Sequence, residues 1–395
     1  MAKLSLKELI SKKLKNKKVE LSTLKVEDYS LWESFGLETL DLALSGRKHV
    51  GAIPYGRIGE ISGLQGSGKS FLCYYLMREN QRNGGLSVYI DTEGALDKRF
   101  CEMIGIDIND DSKFLYVQEN VLETIVNNYV LPIVDATIEV NTDRRILIVI
   151  DSVAGTRVQS KVDNEIGAGG YGMEKAKTLS DVMNDITMKL KKANVALVLT
   201  NQLRAKVGGM SYDKYTTTGG YAIGFYASWR MRLARIGKIV KTIGGVKHYV
   251  GNNVAAEITK NRMSAPGKKI NFSILFESGL HVYESWISTL LTYNRIKKSA
   301  RSYVYEKQDG DAIKFTSKTL GTLLEEDSLL REELYEVLAD DLIPKYDMSN
   351  VVDLSETSLS NDDGLDDAIS EFTKIAQDNS TSEGYELDTT KDTSD

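Results

Sequence analysis

The chain has 395 residues, 42% of them hydrophobic and 27% charged, and a formal net charge of −6. This describes a globular protein with a sizeable core, too long for one small domain. Apolar runs such as 146–150 are far short of the roughly 20 residues of a membrane span, and the lysine-rich N-terminus has no signal-peptide pattern. We therefore expect a cytoplasmic protein without a membrane partner. Cys73 and Cys101 are too few for a disulfide framework or a zinc site, so we predict packing roles for both.

The charge is unevenly distributed along the chain. Residues 347–395 hold 14 acidic residues against two lysines, a net of −12. Subtracted from the totals of 56 acidic and 50 basic residues, this leaves 42 and 48 in residues 1–346, a net of +6. A basic body with a serine- and aspartate-rich acidic tail indicates a polyanionic partner and an internal competitor for it. We predict that 347–395 is disordered.

The N-terminal stretch 5–15, SLKELISKKLK, has a capping box formed by Ser5 and Glu8. Its apolar residues share one helical side and its lysines crowd the other. Two interpretations remain open, a solvated helix face or a docking helix that needs a neighbour. Residues 19–35 have no strong periodicity and are predicted to be a connector.

An alternation of strands and helices begins near Phe35 and predicts an α/β fold. A helical pattern at 37–44 ends at Ser45-Gly46. The predicted strands are 58–62, 86–91, 113–117, 146–151, 195–201 and 229–236, and the predicted helices between them are 70–83, 96–105, 120–138 and 173–194. Strands such as ILIVI and VALVL are apolar throughout, as a mainly parallel sheet covered on both faces requires.

The first strand opens into a glycine-rich motif, and the helix 70–83 follows it. The motif matches G-x-x-x-x-G-K-[ST] and comprises Gly63, Leu64, Gln65, Gly66, Ser67, Gly68, Lys69 and Ser70. Its glycines permit backbone N–H groups to turn inward around a phosphate. Lys69 would add a charge for the β- and γ-phosphates, and Ser70 a hydroxyl for Mg²⁺. A structural glycine turn is the alternative, but the strand before the motif and the helix after it favour a phosphate loop.

Polar residues follow three of the predicted strands. The strand 86–91 ends in Asp91-Thr92-Glu93-Gly94, the strand 146–151 in Asp151-Ser152, and the strand 195–201 in Thr200-Asn201-Gln202. Ligands of open α/β sheets bind beyond the carboxyl ends of the strands. We therefore expect a nucleotide triphosphatase site at this edge, with Asp151 near the metal ion. The Asp151 signal is weak by itself and gains weight from the phosphate loop.

Two glycine-rich stretches, 163–172 and 203–220, show no regular periodicity. The second mixes Arg204, Lys206 and Lys214 with Met210, Tyr212 and Tyr215. They are either ordinary surface loops or a nucleic-acid groove, in which cations neutralise phosphates and aromatic or apolar side chains contact bases.

Residues 254–276 predict a hairpin that turns at 265–267. Lys260 and Arg262 share one strand face, either as solvated charges or as contacts to an ATP of a neighbouring subunit. Residues 281–345 predict a small α/β appendage with helices near 284–295 and 328–340.

Taken together, these stretches resemble the RecA-type homologous recombinases, above all the bacterial RecA family. The resemblance covers about 36–280, whereas 1–35 and 281–346 fit by size and position. It is carried by EISGLQGSGKS, YIDTEGALD, ILIVIDSVA, NEIGAGGYG, NQLRAKVGGM, TTTGGYAIGFYASWRMRL and ITKNRMSAPG. The NQLRAKVGGM and TTTGG stretches are the most specific, since generic P-loop enzymes lack them.

The resemblance implies a RecA-like ATPase core at 36–280, between an N-terminal polymerisation segment at 1–35 and a small C-terminal domain at 281–346. The acidic tail at 347–395 follows. It also implies an ATP-dependent recombinase that filaments on single-stranded DNA and pairs it with double-stranded DNA. Single-strand-binding and mediator proteins are candidate partners.

The resemblance also implies roles for the individual residues that match the family's motifs. Glu93 resembles the carboxylate that activates the hydrolytic water, and Gln202 the γ-phosphate sensor; together with Lys69 they form the implied catalytic set. Phe225 resembles a residue that couples filament contacts to nucleotide. ATP and Mg²⁺ would be held by the phosphate loop and by Phe71, Asp97, Phe100, Asp151, Lys260 and Arg262, with Ser70 and Asp151 at the metal. DNA would be held by Glu165, Gly167, Gly169, Gly170, Tyr171, Arg204, Lys206, Gly208, Gly209, Met210, Tyr212, Thr216, Thr217, Thr218, Gly219 and Gly220.

Two departures from the family pattern suit a phage-encoded or divergent relative. Ser211 stands where the bacterial proteins carry an aromatic residue, and 47–50 is insertion-like. Two other functions are alternatives. One is a ring-forming hexameric motor or helicase, and the other is a non-catalytic DNA-binding mediator. The TTTGG segment argues against the first, and the intact Lys69, Ser70, Glu93 and Asp151 argue against the second.

Overall fold

The computed structural model describes residues 31–162, 171–205, 215–218, 221–307 and 310–345. The predicted N-terminal helix at 5–15 and the predicted tail at 347–395 lie outside these residues. The chain divides into one compact unit up to Pro344 and a second from Lys345 onwards. All elements below belong to the first unit.

The elements follow one another as a nearly regular alternation. The strands are β1 (Trp32–Glu33), β2 (Ile53–Pro54), β3 (Ile58–Gly63), β4 (Leu86–Asp91), β5 (Phe114–Gln118), β6 (Ile146–Asp151), β7 (Val195–Ala205), β8 (Tyr215–Thr217), β9 (Trp229–Ile243), β10 (Val246–Asn261), β11 (Lys269–Leu275), β12 (Gly279–His281), β13 (Ile296–Ser299), β14 (Ser302–Glu306) and β15 (Ala312–Phe315). The helices are α1 (Glu38–Ser45), α2 (Lys69–Arg82), α3 (Lys98–Met103), α4 (Leu122–Ile125), α5 (Leu131–Val140), α6 (Gln159–Val162), α7 (Tyr171–Leu190), α8 (Tyr221–Tyr226), α9 (Val282–Thr292), α10 (Leu320–Glu326) and α11 (Ser328–Leu342).

Among the described residues, ten strands form one large sheet in the order β12-β11-β10-β9-β3-β7-β6-β4-β5, with β8 paired to β7. The strands from β9 to β5 along this order are parallel. The strands β10 to β12 extend the sheet in antiparallel fashion. This confirms the predicted α/β class with a mainly parallel central sheet.

Both faces of the sheet are buried, which explains the continuous apolar strands. In β6, Leu147 and Val149 belong to one core cluster, whereas Ile148 and Ile150 belong to the other. The first cluster includes residues of α1, α2 and α9, and the second includes residues of α4, α5 and α7. Alternate side chains of a strand point to opposite faces, so each face requires apolar residues. Cys73 and Cys101 are free and buried in the first cluster, as predicted for packing residues.

The predicted helix at 120–138 is interrupted by a π-helical turn at Val126–Val130, between α4 and α5. Pro132 lies at the start of α5. Its nitrogen carries no hydrogen, so the regular bond to the preceding turn cannot form there. The pattern of apolar residues therefore predicts the helical region correctly, but it does not predict the π-helical turn within it.

Three further boundaries differ from the expectation. Helix α7 begins at Tyr171, inside the first glycine-rich stretch, and β8 lies within the second and pairs with the end of β7. Strands β9 and β10 form a longer ribbon than predicted, turning at Gly244-Gly245 with φ values of 58° and 82°. Such glycine pairs favour two-residue hairpin turns.

The region after β12 contains α9, α10, α11 and the antiparallel sheet β13-β14-β15. The helices near 284–295 and 328–340 are confirmed as α9 and α11, whereas α10 was not predicted. The division of the chain at 35, 280 and 346 stays a prediction. None of the described helices is both long enough and apolar enough to cross a membrane.

Candidate nucleotide site at the carboxyl edge of the sheet

The predicted polar residues converge because β3, β7, β6 and β4 are neighbouring parallel strands. Gly63 pairs with Gln202 across β3 and β7, and Asp91 pairs with Asp151 across β4 and β6. These pairs lie at the carboxyl ends of β3, β4 and β6, where ligands of open α/β sheets bind. The phosphate loop leaves β3 at this same edge.

The loop from Gly63 to Gly68 forms an open turn before α2. Gly66 and Gly68 adopt φ values of 70° and 96°, which favour glycine, and a Cβ on Gly66 would meet no atom of the described residues within 4 Å. Leu64, Gln65 and Gly66 are exposed, so the backbone there is accessible to a ligand. The loop leads into the N-terminus of α2. The backbone N–H groups of the first turn of a helix have no partner within the helix, so they favour the binding of an anion there.

Lys69 is held inside the loop. Its ammonium donates to the carbonyl oxygens of Gly63 at 3.2 Å and Leu64 at 3.1 Å. Burial lowers the Lys69 pKa, and the negative charges of Asp151 and Glu93 act in the opposite direction. An ammonium has three donors, so Lys69 can still donate to a phosphate oxygen.

Ser67 provides an independent sign of a ligand. Its Oγ is buried and has no hydrogen-bond partner among the described residues, and its side chain is near the base of the loop, where a Cβ on Gly63 would meet it. A buried hydroxyl without a partner is costly and calls for an explanation. A phosphate oxygen in the loop would supply an acceptor, so the residues present fit a nucleotide phosphate.

The Asp151 carboxylate accepts hydrogen bonds from two uncharged hydroxyl groups. Tyr89 donates its hydroxyl to one carboxylate oxygen at 2.7 Å, and Thr200 donates to the other at 2.5 Å. The structure thus fixes the orientation of the Asp151 carboxylate without neutralising its charge. A carboxylate and the Ser70 hydroxyl are oxygen donors of the kind that Mg²⁺ requires, so the donor set fits this ion.

Glu93 is exposed at the sheet edge and is positioned by buried neighbours. Ser152 donates its hydroxyl to the Glu93 carboxylate at 3.0 Å. Thr92 donates to the Ser152 carbonyl at 2.9 Å, and the Ser152 N–H donates back to the Thr92 hydroxyl at 2.9 Å. The buried Asp91 carboxylate accepts the N–H groups of Glu93 at 3.1 Å and Gly94 at 2.7 Å. The sequence analysis did not identify Ser152 as a contact of Glu93.

A buried polar network lies directly beside Gln202. Glu60, fully buried in β3, accepts hydrogen bonds from Asn201 at 2.8 Å and from Arg230 at 2.5 Å. Asn201 also donates to the Thr218 carbonyl at 2.9 Å, and Arg230 reaches the Thr217 hydroxyl at 3.4 Å. The strand that leads into the phosphate loop is therefore joined to 217–218. Sequence analysis missed this network, because its members are far apart in the chain.

Four aromatic rings lie beside the first turns of α2. Phe71 lies 4.8 Å from Phe100 and 5.1 Å from Tyr75 between ring centroids, and Tyr74 lies 6.1 Å from Phe100. Asp97 caps α3 by accepting the Phe100 N–H at 3.0 Å. Phe71 and Phe100 are only partly buried, so the group offers apolar ring surface next to the phosphate loop. Such a surface is suited to a nucleobase.

Lys260 and Arg262 form a separate cationic group. Lys260 donates to the carbonyl oxygens of Gly224 at 2.7 Å and Phe225 at 3.1 Å, and Arg262 donates to the Phe225 carbonyl at 3.2 Å. Burial, followed by the charges of Arg262 and Arg230, lowers the Lys260 pKa. Within the described residues, neither Lys260 nor Arg262 pairs with a carboxylate. The Phe225 side chain is 68% exposed.

The predicted DNA contacts are described only in part. Arg204 and Thr216 are exposed and pair across β7 and β8, and Thr217 and Thr218 are partly buried. For Tyr171 only the backbone at the start of α7 is described. The remaining predicted contacts lie outside the described residues: Glu165, Gly167, Gly169, Gly170, Lys206, Gly208, Gly209, Met210, Tyr212, Gly219 and Gly220.

Comparison with known proteins identifies the family. The RecA N-terminal domain family matches residues 6–281. A protein named Protein RecA from Dichelobacter nodosus is 34% identical over 275 residues, covering 70% of this chain and 73% of that protein. Proteins of the same name from Chlamydia muridarum and Acinetobacter baylyi are 32% and 30% identical, covering 80% and 79% of this chain and 82% and 83% of those proteins. The chain therefore belongs to the RecA family.

Proposed function

We propose that the protein is an ATP-dependent DNA recombinase. It forms a helical filament on single-stranded DNA and pairs that strand with homologous double-stranded DNA. The observation that carries the proposal is the convergence of the phosphate loop, Glu93, Asp151 and Gln202 at one sheet edge in a RecA-family chain. The alternative of a hexameric motor gains no support from the relatives.

ATP hydrolysis would depend on positioning and charge. The backbone of 63–68 and the Lys69 ammonium bind the phosphates, and the aromatic group around Phe100 binds the base. Glu93, oriented by Ser152, holds the attacking water and accepts its proton. Mg²⁺, held by Ser70 and Asp151, would neutralise charge on the phosphate oxygens. Gln202, which pairs with Gly63 across the sheet, would contact the γ-phosphate through its amide.

A neighbouring subunit would complete the site. Lys260 and Arg262 form a cationic group whose described contacts are carbonyl oxygens, beside the exposed ring of Phe225. A triphosphate of the next subunit would provide the counter-charge that the described residues do not. Both side chains act as cations in trans, and Phe225 packs at the same interface.

DNA binding would use the two glycine-rich stretches and the basic body of the chain. Arg204, Thr216, Thr217 and Thr218 are the described members of this set. The residues of the two stretches outside the described ranges remain predicted DNA contacts. The cytoplasmic location and the single-strand-binding or mediator partners also stay predictions.

Steady-state ATP hydrolysis measured with and without single-stranded DNA tests the proposal. Because the neighbour supplies cations, the rate per subunit should rise with both DNA and protein concentration. Electron microscopy with ATP and single-stranded DNA should show helical filaments. A rate that is indifferent to both DNA and protein concentration, or closed hexameric rings, would contradict the proposal.

The role of Glu93 is tested by Glu93→Gln. The amide keeps the size of the side chain but cannot accept the proton, so turnover should fall by roughly 10²-fold or more. Nucleotide affinity, measured with a fluorescent ATP analogue, should stay within about twofold, since Glu93 is not a phosphate ligand. Glu277→Gln, on the exposed turn after β11, is the control. Unchanged turnover in Glu93→Gln would remove Glu93 from this role.

A further inference from the structure

Lys175 is a buried lysine that the site described above does not use. It lies in α7, and its side chain is 1% exposed. Its ammonium donates to the carbonyl oxygens of Val153 at 2.8 Å and Thr156 at 2.5 Å, and more weakly to Ala154 at 3.4 Å. Burying a cation is costly unless its donors are satisfied. Here the three carbonyl oxygens match the three donors of an ammonium.

The turn that Lys175 holds follows directly on the site. A 3-10 turn at Val153–Gly155 begins after Ser152, the residue that donates to Glu93. The turn is closed by the Gly155 N–H, which donates to the Ser152 carbonyl at 3.0 Å. It also fits tightly against the site, since a Cβ on Gly155 would lie 2.5 Å from Thr92 Oγ1 and 3.1 Å from Glu93 Cγ. The turn is thus bonded to Ser152 and has little free space beside Thr92 and Glu93.

We propose that Lys175 is a positioning residue for ATP hydrolysis, which acts through the turn 153–156 and Ser152 to fix the orientation of the Glu93 carboxylate. This inference rests on the proposed function. The path consists of hydrogen bonds between named groups, from the Lys175 ammonium to the backbone of the turn and from Ser152 to Glu93. Lys175 belongs to α7, which begins at Tyr171 within the first glycine-rich stretch. The hydrogen bonds of Lys175 therefore join this stretch to the Glu93 carboxylate.

A purely structural role is the competing explanation. In that case the ammonium would only anchor α7, and its loss would lower the stability without a specific effect on turnover. Positioning makes a different prediction, because misplacing a reacting group affects the chemical step more than substrate binding. The turnover number and the KM for ATP therefore separate the two explanations.

Lys175→Met tests the proposal, since methionine fills similar space without the ammonium. With saturating single-stranded DNA, kcat should fall roughly tenfold, whereas KM for ATP should stay within about twofold. Lys177→Met is the matched control, because Lys177 is exposed on the same helix; its kcat and KM should equal those of the wild type. Thermal unfolding of each variant reports stability separately.

Combination with Ser152→Ala tests the path itself. Ser152→Ala removes the donor to Glu93 and should lower kcat by a similar factor. If Lys175 acts through Ser152, the double variant should be no slower than the slower single variant, because residues that act as a unit are not additive. Independent effects would multiply and would overturn the proposal.

If folded Lys175→Met has the wild-type kcat, the proposal is wrong. It is also wrong if the variant is impaired mainly through a raised KM for ATP. If Lys175→Met is too unstable to purify, Lys175→Gln is measured in the same way. Its amide is on a shorter side chain and has two donors instead of three, so kcat should still fall, and wild-type kcat overturns the proposal. A wild-type protein without ATPase activity would instead refute the proposed function, so the two failures are distinguishable.

Discussion

The buried Glu60–Arg230 pair yields a prediction whose size follows from the structure. Glu60 is fully buried, whereas the Arg230 side chain is 26% exposed. Glu60→Gln removes the negative charge and keeps the size of the side chain. Breaking a buried pair commonly costs about 3–5 kcal/mol, because the remaining charge is stranded. Since Arg230 can reach water in part, we expect the lower end, about 3 kcal/mol of the free energy of unfolding.

Urea unfolding followed by tryptophan fluorescence measures this change, since Trp229, next to Arg230, is 1% exposed and should report the opening of β9. The midpoint should fall in Glu60→Gln at an unchanged slope. Glu306→Gln is the matched control, because the Lys297–Glu306 pair has side chains that are 73% and 60% exposed. Exposed pairs contribute about 0–1 kcal/mol, so this variant should unfold close to the wild type.

A double variant distinguishes two causes of the lost stability in Glu60→Gln, the unpaired charge of Arg230 and the loss of packing and hydrogen-bond contacts. If the cost in Glu60→Gln comes from the unpaired Arg230, then adding Arg230→Met should restore part of the stability. If the double variant is less stable than Glu60→Gln by the full cost of a second lost side chain, the reasoning is wrong. An unchanged midpoint in Glu60→Gln would refute it outright.

Three other changes probe other parts of the molecule. Burial raises the pKa of the Asp41 carboxyl to about 8. The folded state then binds about one proton more than the unfolded state between about pH 5 and 7, so Asp41 lowers the free energy of unfolding by about 1.4 kcal/mol per pH unit as the pH rises. Asp41→Asn should flatten this slope in urea titrations, and an equal slope would contradict it. Gly155→Ala places a Cβ 2.5 Å from Thr92 Oγ1, so kcat should fall roughly tenfold with nucleotide affinity unchanged, and equal kcat values would refute the tight fit. Deletion of 347–395 removes a charge of −12 and should tighten duplex-DNA binding and alter its salt dependence; identical isotherms would show that the tail does not compete.

Much of the fold was predictable because its signals are local. The strands β4 and β6 are short, largely apolar runs that end in aspartate, and the apolar first half of β7 is followed by Thr200-Asn201-Gln202. Glycines mark the phosphate loop after β3 and the end of α1. Parallel pairing then brings these strand ends to one edge without further information. The candidate site was predicted to this extent from sequence.

The contacts that position the site were not predictable in the same way. Ser152 and Glu93 are separated by 59 residues, and Asn201 and Glu60 by 141. A serine after a strand, or a lysine in a helix, looks like a solvated residue in the sequence. Lys175 shows this clearly, because only the fold reveals that it is buried against three carbonyl oxygens.

The phosphate site and the cationic group of Lys260 and Arg262 differ in how their charges are satisfied. Around the phosphate loop, the Lys69 cation lies near the acids Asp151 and Glu93, which raise its pKa against the effect of burial. Around Lys260, neighbouring cations and burial act in the same direction and lower the pKa. A group of like charges is stabilised when an anion binds to it. In the filament proposed above, a triphosphate bound to the loop of a second copy would provide such an anion, so filament assembly and nucleotide binding should favour each other thermodynamically.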